Sequence, residues 1–460
     1  MNNGASLEPS WRPWHLLVIV SAVILAYLNT ISGQFQLDDY GAIVFNRTVH
    51  TWTAWLDDVA GGVRPLLKLT YLLCWTVWPE PQGFHVFNAV IHGANSLLVY
   101  GLTLRFLADH TLIPPVRHGG IALGTALLFG LHPMQTEAVT YITGRSASLM
   151  AFFYLASLAV YDHATRARQS FPLYVLSPLF FVLAVFTKEV ALTLPVALLL
   201  WECCRSEGRV RLATVLRHQV VHWSIAVILI VIFTTYTRYT GLITFSFALR
   251  TLGQNIATTV NGVATLFAHL VLVNRLNIDP DLPTVSSWSP LLVTEALACA
   301  GLVTAAISRL GRNPLFAFAV LWFYLHVVLV YALVPRTDIL NERHFYLGVW
   351  GLFIAFSTGA VSLCSRVARR PGVALAPLIG LCLMFGAFTV SRNQTYRTEI
   401  SLWEDTVKKS PRKARPANNL GYAYYIAGRN DEARRAFERA LQLDPDFARA
   451  RNNMALLPGR

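Results

Sequence analysis

Long apolar segments separated by short polar loops dominate residues 1–391 of the chain. A helix needs about 20 apolar residues to cross the roughly 30 Å hydrocarbon core of a bilayer. Segments near this length lie at 14–32, 84–106, 119–133, 146–163, 171–187, 189–203, 222–240, 288–308, 314–334, 343–363 and 371–391. The pattern predicts an all-α polytopic membrane protein with about 11 transmembrane helices. The segments at 119–133 and 189–203 are the shortest of these.

Composition agrees with a membrane protein. The 460 residues are 54% hydrophobic and 14% charged, whereas a soluble domain has about 25% charged residues. No small-residue cleavage site follows the first apolar segment, so we expect a retained helix there. The 6 cysteines are scattered, without the spacing of a metal site or a disulfide framework.

Charged residues predict how the helices are oriented. With the N-terminus in the cytoplasm, the short inner loops carry these arginines, as the positive-inside rule requires: Arg12, Arg105, Arg117, Arg166, Arg168, Arg205, Arg209, Arg211, Arg217, Arg309, Arg312, Arg366, Arg369 and Arg370. The carboxylates fall outside: Asp38, Asp39, Asp57, Asp58, Glu80, Glu137, Glu189, Asp279, Asp281, Asp338 and Glu342. This bias has two explanations: either inner loops simply contain few acidic residues, or the functional residues lie on the extracytoplasmic side. Acids beside cations or histidines within apolar runs favour the second.

The stretch 249–273 is apolar enough to cross the membrane. A full crossing would invert every later loop and place the arginines of those loops outside, against the charge bias. We therefore expect this stretch to enter and return, or to lie on the outer surface.

The first outer loop, 33–82, is too long for a simple connection. It begins with the pair Asp38-Asp39, and two adjacent carboxylates at a membrane exit are costly to place there without a use. Its later part, 64–75, has helical apolar spacing with basic residues at its start. This part predicts an interfacial helix, or alternatively a re-entrant segment.

Further polar residues lie at the outer ends of the predicted helices. His85, Asn88 and His92 share one helical face, where they could line a pocket, bind a metal or hydrogen-bond to another helix. A second group surrounds a helix-breaking proline and favours a functional site: His132, Glu137 and Arg145.

Two cations of the outer loops have alternative partners. Lys188 lies in a tight outer turn, where it could bind a phosphate or pair with Glu189. Arg343 stands at the mouth of a predicted helix and could hold a phosphate bidentately or pair with Glu342.

After residue 391 the chain becomes a soluble helical tail. Spaced positions match the 34-residue tetratricopeptide (TPR) pattern: Leu420, Gly421, Tyr424, Ala433, Phe437, Ala440 and Pro445. Because about three repeats are needed for a stable stack, we expect the tail to dock on the membrane domain or on a partner. The predicted domains are therefore a multi-span domain, 1–391, and a TPR-like helical domain, 392–460, on the extracytoplasmic side. Its excess of basic residues suits an anionic surface or an acidic partner.

Several motifs occur in a characteristic order: Asp38-Asp39, Arg64-Pro65-Leu66, Phe84-His85-x-x-Asn88-x-x-x-His92, His132-Pro133-x-x-Thr136-Glu137-Ala138-Val139 with Gly144-Arg145, Thr187-Lys188-Glu189 and Glu342-Arg343-x-x-Tyr346-Leu347. Together they resemble the membrane O-mannosyltransferases with TPR tails, the TMTC group, within the broader GT-C glycosyltransferases. The resemblance covers nearly the whole chain, and its most specific part runs from His132 to Arg145. The chain departs from the family pattern in two ways. Its tail has about one full TPR repeat instead of a long array, and His344 and Phe345 stand where related sequences often have other residues. The short tail is more in keeping with a bacterial relative.

The resemblance implies transfer of a sugar from a polyprenyl- or dolichyl-phosphate carrier to a hydroxyl, most simply a protein Ser or Thr. Asp38 or Asp39 would be the general base, with a slight preference for Asp39, and direct displacement should invert the anomeric centre. The residues implied for the donor phosphate are Arg64, Arg145, Lys188 and Arg343. Those implied for the sugar or acceptor are His132, Glu137, His85 and His92. Metal dependence varies in this class, so a divalent cation stays open as a cofactor.

Two other functions fit the same composition. A transporter or flippase for lipid-linked sugars would also have many spans and intramembrane charges, but no matching halves are seen. A non-enzymatic scaffold would use the tail to recruit partners. We expect an integral protein of the bacterial inner membrane whose site and tail face the periplasm. Its expected partners are membrane lipid, the lipid-linked donor and a protein, without nucleic acid.

Overall fold

The computed structural model describes residues 12–110, 113–205, 212–339, 341–367 and 371–458. These residues form helices joined by short turns and loops, and no strand occurs among them. In chain order the α-helices are α1 Pro13–Tyr27, α2 Trp52–Val59, α3 Pro65–Val77, α4 Pro81–Ala108, α5 Pro115–Leu131, α6 Thr136–Val139, α7 Arg145–Ala167, α8 Ser177–Thr187, α9 Leu194–Arg205, α10 Leu212–Thr235, α11 Thr237–Leu249, α12 Leu252–Val271, α13 Pro290–Ser308, α14 Pro314–Phe323, α15 Val330–Leu333, α16 Val349–Val367, α17 Pro371–Thr395, α18 Glu399–Lys409, α19 Ala414–Ile426, α20 Asn430–Leu443 and α21 Ala448–Met454. The predicted all-α fold is confirmed.

Local sequence sets where many of these helices begin. Helices α4 and α5 start with Pro81 and Pro115, and proline suits the first turn because its missing N–H has no helical partner there. The side chains of Ser289 and Asn313 cap α13 and α14 by accepting the backbone N–H three residues later. Such caps satisfy donors that the first helical turn leaves open.

Each predicted apolar segment forms a helix, and among the described residues 7 helices are long and apolar enough to cross a membrane. These are Pro13–Ser32, Pro81–Ala108, Leu212–Thr235, Pro290–Ser308, Pro314–Leu333, Val349–Arg366 and Leu375–Thr395. The protein is therefore an integral membrane protein. Of the remaining predicted spans, α5, Pro172–Thr187 and α9 are shorter, and α7 carries charged residues. The count of about 11 spans stays a prediction.

Arginines that the sequence places in the cytoplasm meet at one end of the bundle. Arg105, Arg166 and Arg205 stand at the C-terminal ends of α4, α7 and α9, and all three form ion pairs with the buried Asp162. The three helices therefore run in the same direction. Their N-terminal ends carry the outer residues of the site described below.

Helix α12 corresponds to the ambiguous stretch 249–273 and begins and ends at the same end of the bundle. Before it, Arg250 donates to the backbone carbonyl of Arg336 at 2.6 Å. After it, Arg392 donates to the carbonyl of Leu276 at 2.7 Å and to Glu342 at 2.9 Å. These contacts agree with the expectation that the stretch does not cross.

The helical tail, α18–α21, packs against this same end. Arg415 forms ion pairs with Asp279 and Asp338 of the membrane domain, at 2.5 and 2.8 Å. Trp403 packs in one apolar cluster with Leu37 of the first outer loop. The tail thus covers part of the surface on which the Asp38-Asp39 pair lies.

Candidate active site

The two adjacent aspartates differ in exposure and in partners, and Leu37, just before them, has left-handed backbone angles (φ 51°). Asp39 is buried, with 1% of its surface exposed. Its two carboxylate oxygens accept backbone N–H groups, from Gln36 at 2.9 Å and from Thr143 at 2.9 Å. Burial raises the pKa of Asp39 to about 7. One oxygen thus fixes a turn within the first outer loop, and the other joins this loop to the segment before α7.

Asp38 is exposed, and its carboxylate lines two adjoining cavities. Its backbone N–H donates to the Tyr141 hydroxyl at 3.0 Å. Among the residues that the structure describes, none binds the carboxylate through an ion pair. Asp38 is therefore the member of the pair that a substrate in these cavities can reach.

The segment between α5 and α7 brings Glu137 to the same place. Pro133 ends α5 because a proline disfavours helical angles at the preceding residue, here His132 with ψ 127°. Glu137 is fully buried and accepts the backbone N–H of Arg343 at 3.2 Å. A side chain at Gly144 would collide with the Glu137 carbonyl oxygen, so only glycine allows this close turn. Burial raises the pKa of Glu137, although the Arg343 guanidinium opposes the shift.

Four cations line a cavity of about 200 Å³ beside Asp38, called the middle cavity below: Arg64, Lys188, Arg336 and Arg343. They come from the first outer loop, the turn after α8 and the loop before α16. Burial and the other arginines lower the pKa of Lys188, and burial and Arg64 lower the pKa of Arg336 to about 10. Because each cation makes the others more costly to charge, an anion bound among them would be stabilised.

The ion pairs around this cavity differ from those that neighbouring positions in the sequence suggest. Arg64, not Lys188, binds Glu189, through Nε at 2.9 Å and Nη2 at 2.8 Å. Arg343 lies 3.6 Å from Glu137, while Glu342 pairs with Arg392 at 2.9 Å. The glutamates adjacent to Lys188 and Arg343 in the chain thus pair with other cations, Glu189 with Arg64 and Glu342 with Arg392.

His344 adds an uncharged ring to the middle cavity. Its Nε2 is 3.2 Å from Nη1 of Arg336. A guanidinium can only donate, so the Nδ1 atom of His344 carries the hydrogen. This Nδ1 is buried and has no partner among the described residues, and burial and Lys188 lower the pKa of the ring. The neutral ring of His344 thus accepts from Arg336 at the wall of the middle cavity.

Two further cavities adjoin the middle one. The inner cavity, of about 30 Å³, shares Lys188, Arg343 and His344 with it and is otherwise lined mainly by apolar and aromatic side chains such as Met150 and Tyr154. The outer cavity, of about 200 Å³, shares Asp38 and Arg343 with the middle cavity and lies between the bundle and the tail. An apolar chamber, a cationic chamber and a polar chamber thus lie in sequence, with Arg343 in all three.

The structure places Arg145 away from these cavities. It is fully buried, and its guanidinium donates to Asn88 Oδ1 at 2.6 Å and to the carbonyls of Thr70 and Phe84 at 3.1 Å each. It also lies 4.4 Å from the ring centroid of Phe87. Its N–H groups connect α7 to α3 and α4, so Arg145 stabilises the packing of these three helices.

The candidate histidines also lie inside the bundle. His132 receives the Met134 backbone N–H at Nδ1 and therefore donates from Nε2 to the Leu270 carbonyl at 3.0 Å. His92 contacts Tyr346 Oη at 2.6 Å and the Gly130 carbonyl at 3.0 Å. His85 is buried against the backbone of Gly33. None of the three lines the inner, middle or outer cavity.

Sequence reasoning did not assign Arg336 or His344 to the site, although both were visible in the last outer loop. The signal for Arg336 was a basic residue in an acid-rich outer loop; no sequence pattern predicts the tautomer of His344. Within the described parts of the chain, no group of three His, Cys, Asp or Glu side chains could hold a metal ion.

Comparison with known proteins supports the predicted relationship. A Caenorhabditis elegans protein, Protein O-mannosyl-transferase F38B6.6, is 25% identical over 469 residues, covering 94% of this chain and 63% of that protein. Protein O-mannosyl-transferase TMTC1 of Mus musculus is 23% identical over 594 residues, covering 99% of this chain and 61% of its own length. The homologues of this chain are TMTC-family protein O-mannosyltransferases. The chain spans about three fifths of the length of these two relatives.

Local similarity to this family is higher. Protein O-mannosyl-transferase TMTC4 of Homo sapiens is 31% identical over 173 residues, which is 33% of this chain and 23% of that protein. The family model of the TPR repeat matches residues 421–457, which confirms the predicted repeat. No solved structure gives a significant match.

Proposed function

We propose that the protein transfers a sugar from a polyprenyl-phosphate carrier to the hydroxyl of a protein Ser or Thr on the extracytoplasmic face, with Asp38 as the general base. The observation that carries the proposal is the middle cavity, where four cations lie beside one accessible carboxylate. The names of the homologues, protein O-mannosyl-transferases, support glycosyl transfer to protein.

The charge of the cavity suits a phosphodiester. Four cationic side chains line the cavity, and three carboxylates offset part of their charge. Asp38 lines the same cavity, Glu189 pairs with Arg64, and Glu137 pairs with Arg343. The excess of one positive charge matches a singly charged sugar phosphodiester better than a more highly charged diphosphate.

The reaction follows from this placement. The acceptor oxygen attacks the anomeric carbon, while the bond from that carbon to the phosphate oxygen breaks and its electron pair stays on the phosphate. Asp38 takes the acceptor proton. Arg336 and Arg343 stabilise the charge that develops on the leaving phosphate, and attack from the side opposite this phosphate inverts the anomeric centre.

The deciding experiment compares Asp38→Asn with the purified wild type. Sugar release from a panel of short-chain polyprenyl-phosphate sugars is measured with Thr-containing peptides as acceptors. Removing a general base should lower transfer by about a hundredfold or more. Asp57→Asn, an exposed carboxylate of the same outer loop, is the matched control and should keep its activity.

Two outcomes would overturn the proposal. If Asp38→Asn transferred as fast as the wild type, Asp38 would not be the base. If the wild type released no sugar from any donor but moved a lipid-linked sugar across vesicle membranes, the protein would be a transporter.

A further inference from the structure

We propose that the outer cavity binds the acceptor as an extended peptide segment, and that Arg449 of the tail selects acidic residues beside the acceptor hydroxyl. This inference rests on the proposed function, which requires a hydroxyl to reach Asp38. It adds a binding site and a sequence preference to that function.

The connection between the cavities sets the route of the acceptor. The middle and outer cavities share Asp38 and Arg343. If the phosphate occupies the cationic side of Asp38, then the nucleophile has to arrive from the other side, because attacking and leaving oxygens lie on opposite sides of the reacting carbon. That other side is the outer cavity, between the bundle and the tail.

Among the described residues, all but two of the charged side chains that line the outer cavity form ion pairs. Arg415 pairs with Asp279 and Asp338, and Arg343 pairs with Glu137. Within the part of the chain that the structure describes, Asp38 and Arg449 are the lining residues whose charges form no ion pair. Asp38 is assigned to the chemistry. Arg449, which is exposed on α21, is thus left to meet an acidic group of the ligand.

The tail also offers a group that suits a peptide backbone. Asn453 donates to Asn418 Oδ1 at 3.0 Å, and Asn418 donates to Asn419 Oδ1 at 3.1 Å. This chain of amides turns the oxygen of Asn419 towards Asn418 and leaves its Nδ2 group without a partner among the described residues. Asn419 lines the outer cavity together with Trp403, so its amide can donate to a peptide carbonyl beside an aromatic surface.

A peptide fits these features better than a neutral glycan. A peptide presents a carbonyl at every residue and can carry a carboxylate next to the acceptor hydroxyl. A neutral sugar chain would leave Arg449 without a counter-charge. The proposed ligand is therefore a Ser- or Thr-containing segment with acidic neighbours.

The test uses the full-length protein and three peptides that differ only in the residues flanking one Thr: Asp, Asn or Lys. Transfer to each peptide is measured as kcat/KM for the wild type, Arg449→Glu, Asn419→Ala and Arg435→Glu. Arg435 is an exposed arginine of α20 outside the cavity, so its reversal is the matched control. Sugar release to water without peptide and protease resistance of the tail are measured for each variant.

We expect the wild type to prefer the Asp peptide, and Arg449→Glu to shift the Asp-to-Lys preference by about tenfold towards Lys. Asn419→Ala should raise KM for all three peptides alike, because it removes a donor without adding a charge, and Arg435→Glu should change nothing. Rescue by the Lys peptide separates a charge contact from a loss of folding, which would lower all rates together.

Other results overturn the inference. If the wild type transferred to all peptides equally and Arg449→Glu kept that ranking, the site would be wrong while the glycosyltransferase function stood. Transfer to glycans but to no peptide would exclude the peptide acceptor. If the wild type released no sugar even to water, the proposed function would fall, and this inference with it.

Discussion

The Asp39 carboxylate accepts the backbone N–H of Thr143 at 2.9 Å, and this bond joins the first outer loop to the turn that precedes α7. The other Asp39 oxygen accepts the Gln36 N–H. An aspartate can accept at both oxygens whether or not it is protonated, whereas the amide of asparagine accepts at only one. The two neighbouring aspartates should therefore respond differently to the same substitution.

Asp39→Asn should lower the free energy of unfolding by about 1–3 kcal/mol, because one buried N–H then faces an NH2 group. Asp38→Asn should leave stability nearly unchanged, since the Asp38 carboxylate is exposed. Thermal unfolding of the two variants in the same detergent measures the difference. Equal melting temperatures would show that Asp39 does not hold the loops together.

The raised pKa of Asp39 predicts a pH dependence of stability. Burial moves this pKa from 3.8 to about 7, so between these values the folded state holds a proton that the unfolded state has released. The stabilising contribution is complete below pH 3.8 and is lost as the pH rises through about 7. Melting temperatures between pH 4 and 8 should fall more steeply for the wild type than for Asp39→Asn. Parallel curves would contradict the shift.

Binding of the donor should weaken as the pH rises. Burial and the neighbouring arginines lower the pKa of Lys188 in the free protein, and a bound phosphodiester, whose own charge is constant, favours the charged ammonium. Above the lowered pKa, binding must therefore include uptake of a proton. Lys188→Arg stays charged at all these pH values and should flatten the profile.

The measurement for Lys188 is the Kd of a short-chain polyprenyl phosphodiester at a series of pH values, for the wild type and Lys188→Arg. Lys68→Arg is the control, because Lys68 pairs with Asp58 outside the cavity. A wild-type Kd that does not change with pH would contradict the role of Lys188.

Arg145→Lys should destabilise the fold by about 3 kcal/mol or more, because lysine cannot reach several buried acceptors from one position. The acceptors left without a donor would be Asn88 Oδ1 and the carbonyls of Thr70 and Phe84. Thermal unfolding measures the loss, while the Kd for the phosphodiester should stay close to the wild-type value. A stable variant with weakened phosphate binding would instead make Arg145 a ligand of the donor.

Periodicity and composition were sufficient for much of the architecture. The apolar segments all form helices, and the TPR positions coincide with a recognised repeat. These properties depend on residues close together in the chain: length and polarity set a membrane helix, and capping groups or prolines set its ends. Asp38, Lys188 and Arg343 could be singled out in the same way, because charges are costly at the edge of an apolar segment.

The ion-pair partner of each charged residue could not be predicted from the sequence. Adjacent residues suggested pairs of Lys188 with Glu189 and of Arg343 with Glu342, but Glu189 binds Arg64, 125 positions away. Likewise, two neighbouring aspartates are equivalent in sequence, and only the loops packed around them decide that Asp39 is buried and Asp38 exposed.

The sequence by itself thus determined a helical membrane protein with polar residues at the ends of its helices and a TPR tail. Only the tertiary structure decided which polar groups satisfy one another and which are left for a ligand. The physical reason is that hydrophobic periodicity is local, whereas the pairing of a buried charge depends on which helices and loops pack beside it. Arg145 and Arg343 illustrate this difference. Both belong to motifs that the sequence analysis assigns to the site, but only Arg343 lines the cavities.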